Sequence, residues 1–267
     1  MITFAPMTAT IITSAQNPKV KQLVALQQKS SERRKEGLFV VEGRRELEHC
    51  LDGGFQIDSV FYCPAICGTL PPLSPDVKLF EVSASLYEKM AYRGGTEGMM
   101  AEVKTRTFRL TDLHLPQNPL LVVVESVEKP GNLGAILRSA DAAKVDAVIV
   151  CDPLTDLFNP NLIRSSVGGF FSVPSVACTS EECIAFLKQR GISILTAQLQ
   201  DSHLYYDTDM RRATAIVMGT ESTGLTNQWR EAADAHIRIP MLGRIDSLNV
   251  SVSAAILMFE AVRQRNL

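Results

Sequence analysis

Residues 120–151 read LLVVVESVEKPGNLGAILRSADAAKVDAVIVC, and this stretch decides the fold. Residues 120–124 are all apolar, which suits a strand buried on both faces rather than one alternating between core and solvent. A polar loop follows at 126–133. Residues 134–144 carry apolar side chains at helical spacing, and 147–151 return as a second apolar strand. Two such strands joined by a helix make a βαβ unit, whose strands lie parallel. The same rhythm continues downstream, with helices expected at 159–168, 179–190 and 226–235. Strands are expected at 171–177, 192–197, 213–218 and 237–240. The helix at 179–190 has Thr179 or Ser180 as cap, Glu181 and Glu182 in its first turn, and Gly191 past its end. The chain closes on residues 239–261, IPMLGRIDSLNVSVSAAILMFEA, a polar loop feeding a long helix. Ser251, Ala254 and Ala255 share one face of that helix and are small enough for a close helix contact. The alternation gives an α/β fold with a parallel sheet covered on both faces. Ligands in such sheets bind where strand ends meet loops.

The part upstream is built differently. Residues 1–12 are expected as a tail. Residues 13–106 hold short strands and helices, beginning with a helix that Asn17 caps and Pro18 opens, and form a small α/β domain. Residues 107–119 are a polar linker with two prolines, and 120–267 are the second domain. Between Asn17 and Arg45 there are eight basic and three acidic residues. Arg33, Arg34, Lys35 and Arg44 belong to this run. It suits either a solvated helix face or a patch that contacts phosphates. The whole chain carries a net charge of −2, so any nucleic-acid site must be a local patch rather than a global field. Of six cysteines, Cys63 and Cys67 form a single close pair without a second pair, so no metal site is expected and the thiols are expected buried and reduced. No membrane span or signal segment is expected, and the protein is expected in the cytoplasm.

Three familiar nucleotide sites fail on spacing. Gly131-Asn-Leu-Gly134 places leucine where a dinucleotide-binding turn needs glycine. Residues 219–226, GTESTGLT, match a phosphate-binding loop except that Leu225 replaces the lysine, so β- and γ-phosphates lack their cation. Ser222 is offset by one position from a hydrolase elbow. Three loops at three strand ends remain, at 128–138, 218–225 and 239–250.

These loops resemble the motifs of a known family. Residues 132–140, NLGAILRSA, look like motif 1 of the SpoU (TrmH-like) branch of the SPOUT RNA methyltransferases. Residues 217–225, VMGTESTGL, look like motif 2, and 239–243 with 247–251, IPMLG and SLNVS, look like motif 3. Residues 158–168, FNPNLIRSSVG, also match the family, and residues 17–98 resemble, more loosely, the accessory RNA-binding domain of its rRNA-modifying members. The resemblance implies a deep trefoil knot near the C-terminus, S-adenosylmethionine as cofactor, a homodimer, and methyl transfer to a ribose 2′-hydroxyl. Ribosomal RNA is favoured because of the extra domain. Transfer RNA as substrate, a self-protecting resistance methyltransferase, or a non-catalytic RNA-binding homologue are the alternatives. By the motif match Arg138 is the central catalytic residue, read as gripping a phosphate and stabilising alkoxide charge rather than acting as a base, because a guanidinium stays protonated. Asn132, Glu221, Ser247 and Asn249 complete the polar cage; Ser247 and Asn249 would serve equally as helix caps. Gly219, Ile239, Met241 and Leu248 are expected around the cofactor, with Thr196 and Ala197 as further candidates. Arg164 and the run Arg33-Arg34-Lys35, with Arg44, are expected to meet RNA. The sequence departs from the family at Glu128-Lys-Pro-Gly131 and at Lys144, where a glycine is usual.

Overall fold

The apolar run at 120–124 does become a strand buried on both faces, because it takes a central place in a parallel sheet. The computed structural model describes residues 9–92, 97–220 and 223–266, which fall into two compact units. One comprises residues 1–106 and 158–164, the other 107–157 and 165–267.

In the first unit the strands are β1 (Thr10–Ile12), β2 (Leu38–Glu42), β3 (Ile57–Tyr62), β4 (Lys78–Val82) and β5 (Met99–Lys104). They form one sheet in the order β1-β4-β3-β5-β2. β1 and β3 run parallel to β4, whereas β5 runs antiparallel to both β3 and β2. The helices are α1 (Pro18–Gln28), α2 (Ser30–Glu36), α3 (Arg44–Asp52), α4 (Pro64–Cys67) and α5 (Ala84–Met90). Asn17 caps α1 by accepting from Lys19 N at 2.8 Å, and Ser83 caps α5 through Leu86 N at 3.3 Å. Leu23, Leu26, Phe61 and Tyr87 pack in its core. Residues 10–12 are a correction to the expected tail: they pair with β4 as an edge strand. Phe158 also belongs here, its ring 4.9 Å from that of Phe39.

The second unit contains β6 (Leu120–Glu125), β7 (Ala147–Cys151), β8 (Ser175–Cys178), β9 (Ser193–Ala197), β10 (His203–Leu204), β11 (Thr214–Met218) and β12 (Ala235–Arg238). Their order is β10-β12-β9-β11-β6-β7-β8, and every pair is parallel. The helices are α6 (Pro130–Ala142), α7 (Pro160–Ser166, which straddles the division), α8 (Gly169–Ser172), α9 (Ser180–Gln189), α10 (Asn227–Ala232) and α11 (Val250–Arg265). Parallel strands need crossover connections, which is why α6 separates β6 from β7, α9 separates β8 from β9 and α10 separates β11 from β12. α6 begins at Pro130 rather than at 134, since proline suits the first helical position, so Asn132 lies inside the helix. Residues 171–177 are not one strand. Gly169–Ser172 turn helically, because an added Cβ on Gly169 would lie 2.7 Å from Leu137 O, and only a glycine lets this turn approach α6 so closely. The expected linker is also part of this unit: Phe108 bridges to Val176, and Leu113 is buried in the core with Leu121, Ile149 and Trp229. No described helix is long and apolar enough to cross a membrane.

Two local conflicts give testable consequences. Lys144, just past α6, has φ +53°, a left-handed conformation that its Cβ disfavours. Lys144→Gly is expected to raise unfolding stability by about 1 kcal/mol in urea titrations. In the first unit, Glu102 is wholly buried; Ser59 Oγ donates to its Oε2 at 2.7 Å, while Oε1 has no partner among the described residues. Burial pushes its carboxyl up from the ordinary 4.5, against the smaller opposing pull of the Ser59 bond. The folded chain therefore keeps this proton to higher pH than the unfolded chain does. The stabilising contribution is fully present below 4.5 and is lost as pH rises through the higher folded value. Glu102→Gln is expected to flatten this decline when unfolding is followed from about pH 5 to pH 8.

Candidate functional site

The loops after β9, β11 and β12 converge on one cavity of about 510 Å³ at the carboxyl ends of the parallel strands. Ala197 and Gln198 come from the end of β9, Met218, Gly219 and Thr220 from the end of β11, and Ile239, Met241, Ser247, Leu248 and Asn249 from the loop before α11. Asp246 is the only ionisable side chain among the described lining residues. No lysine or arginine is among them, so no described side chain there supplies the cation that usually pairs with a polyphosphate.

The second loop is shaped by a backbone constraint. Thr220 N donates to Gly224 O at 3.2 Å, and Gly224 N donates back to Thr220 O at 3.1 Å. Thr220 Oγ1 accepts from Thr223 N at 3.0 Å. The loop closes so tightly that a Cβ on Gly219 would lie 2.3 Å from the carbonyl carbon of Gly224 and 2.5 Å from Leu225 N. The glycine expected for close cofactor approach is thus required first by the loop itself. Glu221, the candidate carboxylate of this loop, lies outside the described residues.

The far end of the loop is anchored by Glu125, a residue that sequence reading passed over. Its carboxylate is only 2% exposed at the end of β6. Thr226, the residue before α10, donates to it from N at 2.9 Å and from Oγ1 at 2.7 Å. Ser180 Oγ lies 3.4 Å from Glu125, donates to Asp152 Oδ2 at 2.6 Å and accepts from Trp229 Nε1 at 2.9 Å. Strand ends and helix starts are thereby bonded into one polar network.

Asn249 does two things. Its Oδ1 caps α11 by accepting from Ser251 N at 2.9 Å, and its Nδ2 donates to Asn132 Oδ1 at 3.1 Å. This bond ties the third loop to α6, on which α11 packs. Ser247 does not cap α11; its Oγ donates to Asp246 Oδ1 at 3.2 Å. Arg138 lies about 9 Å further along α6 than Asn132. It is exposed, and its guanidinium pairs with nothing among the described residues. Neither Asn132 nor Arg138 lines the cavity.

Two expected residues are corrected, and a third is engaged within the chain. Thr196 is fully buried, and its Oγ1 is 2.6 Å from His236 Nδ1, so it braces β9 against β12 instead of lining the cavity. Arg33 is 3% exposed and donates to the carbonyls of Leu26 at 2.6 Å and Gln27 at 3.3 Å. It satisfies last-turn carbonyls of α1 and is not available to RNA. Arg44 donates to Cys67 O at 3.1 Å and to Thr69 O and pairs with Glu48 at 3.4 Å, so it holds the segment after β3. Arg34, Lys35 and Arg164 are exposed, Lys35 beside Glu36 at 3.1 Å. Gln198 is a lining residue that was missed: its Nε2 donates to Gln200 O at 2.9 Å, while its buried Oε1 has no partner among the described residues. Its place directly after β9 is the only signal the sequence held.

Comparison with known proteins gives a consistent picture. The model of the SpoU rRNA Methylase family matches residues 119–259, and that of the MRM3-like substrate binding domain matches residues 17–101. The chain is 28% identical over 254 residues to the 23S rRNA (guanosine(2553)-2′-O)-methyltransferase RlmP of Bacillus subtilis, covering 93% of this chain and 97% of that one. It is 36% identical over 195 residues to the 23S rRNA (guanosine-2′-O-)-methyltransferase RlmB of Vibrio cholerae, covering 71% and 79%. The crystal structure of an AdoMet-bound rRNA methyltransferase from Sinorhizobium meliloti superposes with a TM-score of 0.87 at 28% identity, over 96% of this chain and 98% of that one.

The loop geometry predicts a contrast between two glycines. Gly219→Ala is expected to lower unfolding stability by about 2 kcal/mol, as overpacking against backbone does. Gly243→Ala, whose Cβ would meet nothing within 4 Å, is expected to leave it unchanged in the same urea titration.

Proposed function

The chain belongs to the SpoU rRNA methylase family, and from that premise we propose that it methylates a ribose 2′-hydroxyl of ribosomal RNA with S-adenosylmethionine as donor. The observation that carries this reading is the cavity, walled by loops from three strand ends and free of basic side chains among its described residues. When bound there, S-adenosylmethionine supplies an electrophilic methyl group on a sulfonium centre. A positive ligand suits a cavity whose one described ionisable wall is the carboxylate of Asp246. The buried Oε1 of Gln198, without a partner among the described residues, fits a ligand that brings an N–H or O–H donor. Met218, Ile239, Met241 and Leu248 offer the apolar walls that an adenine ring needs.

The cation belongs to the RNA side of the reaction. Arg138 has no partner among the described residues to compete for its guanidinium. It is assigned to the phosphate beside the target ribose, where its planar fork grips two oxygens and stabilises the oxygen from which the proton departs. Asn132, held by Asn249, fixes the helix that carries it. Glu221 is kept as a polar contributor to the same centre. Arg34 and Lys35 on α2, with Arg164, are assigned to RNA phosphates; all three fall in the first unit, whose residues 17–101 match a substrate-binding domain. Ribosomal RNA is preferred to transfer RNA on that ground.

A homodimer is part of the proposal. Val252 and Phe259 sit seven residues apart on one face of α11 and are 47% and 48% exposed, an apolar stripe suited to a partner. Ala254, by contrast, is buried within the chain. The deep knot expected of the family is part of the same proposal. Six free cysteines agree with a reducing cytoplasm as the place of action.

The test is calorimetry together with methyl transfer to rRNA fragments. S-adenosylmethionine is expected to bind one per chain, and ATP not at all. Arg138→Ala is expected to lower kcat by about a hundredfold or more while leaving donor binding within about twofold. Arg138→Lys is expected to recover little of this, because an ammonium cannot grip in bidentate fashion. Tight ATP binding, or full activity in Arg138→Lys, would contradict the assignment.

A further inference from the structure

Three cysteines that the methyl-donor cavity does not use converge elsewhere in the second unit. Cys151 ends β7 and Cys178 ends β8, and the two are paired in register across the adjacent strands. Cys183 lies in the second turn of α9, the helix that follows β8. All three are free thiols, Cys151 and Cys183 buried and Cys178 half-buried. Their sulfur atoms all lie within 4.8 Å of one another. Tetrahedral coordination with zinc–sulfur bonds of about 2.3 Å places sulfurs about 3.8 Å apart, so side-chain adjustments of about 1 Å close the set on one ion.

We propose that Cys151, Cys178 and Cys183 form a site for a thiophilic divalent metal ion of the zinc class, with solvent in the fourth position on the side where Cys178 is exposed. The supporting scaffold is rigid. Asp152 N donates to Cys178 O at 2.9 Å, and Ser126 N donates to Cys151 O at 2.9 Å, so both strand ends are held. α9 is fixed by a capping box, in which Thr179 N donates to Glu182 Oε2 at 2.9 Å and Glu182 N to Thr179 Oγ1 at 3.2 Å. Asp152 follows Cys151 and Glu182 precedes Cys183 in the chain, so carboxylates adjoin the cluster and favour a divalent over a monovalent ion. Each thiol that becomes a ligand releases its proton to solvent, so metal uptake frees up to three protons per ion and tightens as pH rises.

Cobalt(II) serves as a spectroscopic probe for zinc. Titrating the reduced full-length protein anaerobically with cobalt(II) is expected to produce a thiolate-to-cobalt charge-transfer band that saturates at one ion per chain and is bleached by zinc(II). Cys178→Ala, chosen because this thiol is the least buried of the three, is expected to weaken cobalt binding at least tenfold. A Cys63→Ser, Cys67→Ser double variant is expected to retain the band. S-adenosylmethionine binding by calorimetry serves as the check that each variant is folded. No charge-transfer band in the reduced wild type would overturn the proposal. So would a band that survives in folded Cys178→Ala and is lost in the folded double variant.

Discussion

A carboxylate buried at the end of β6 sets the conditions for the rest of the second unit. Burying the charge of Glu125 is costly unless donors are fixed around it. Thr226 supplies two of them, and Ser180 stands next to it. Since Thr226 precedes α10 and Ser180 opens α9, satisfying this one group fixes where two helices begin. The loop that leaves β11 must therefore return to a set point, and it does so through a closed turn that only a glycine at 219 permits. The cavity inherits its shape from these constraints and not from a dedicated set of lining residues.

The distribution of charge follows from the same architecture. The described cavity wall holds one carboxylate and no cation, while the guanidinium of Arg138, unpaired among the described residues, stands outside it on α6. Methyl transfer between a cationic donor and an anionic polymer needs that separation: a cation inside would repel the sulfonium, and one outside attracts the backbone. Asn249 joins the two zones, since a single amide caps α11 beside the cavity and bonds to Asn132 on α6. In the first unit the basic run divides between structure and surface. Arg33 is consumed by carbonyl groups, Arg44 is shared between carbonyls and Glu48, and Arg34 and Lys35 remain outside.

Much of this was legible in the sequence for physical reasons. The continuous apolar run at 120–124 can only be comfortable inside a covered parallel sheet, and the three loops at strand ends are where such sheets leave backbone polar groups exposed. The resemblance of those loops to the family's motifs supplied the individual candidates, and of these Ala197, Gly219, Ile239, Met241, Ser247, Leu248 and Asn249 line the cavity. What the sequence hid depends on contacts between distant residues. Thr196 and Ala197 are neighbours on β9, and pleating sends the first towards His236 and only the second to the cavity. A count of charges treats every arginine as solvated, so it could not separate Arg33 from Arg34. Cys151, Cys178 and Cys183 show no ligand spacing and meet only because β7 pairs with β8. The start of α6 was misplaced because Pro130 reads as a loop signal when it is in fact the first helical residue.

The account rests on the claim that this chain places a methyl group on a ribose of ribosomal RNA. The direct measurement is a transcriptome-wide map of 2′-O-methylation in cells with the gene, without it, and with the gene restored as wild type or Arg138→Ala. The account predicts a ribosomal RNA position whose methylation disappears with the gene and returns with the wild-type chain but not with the variant. Ribosomal and transfer RNA maps that are identical in all four strains would contradict it.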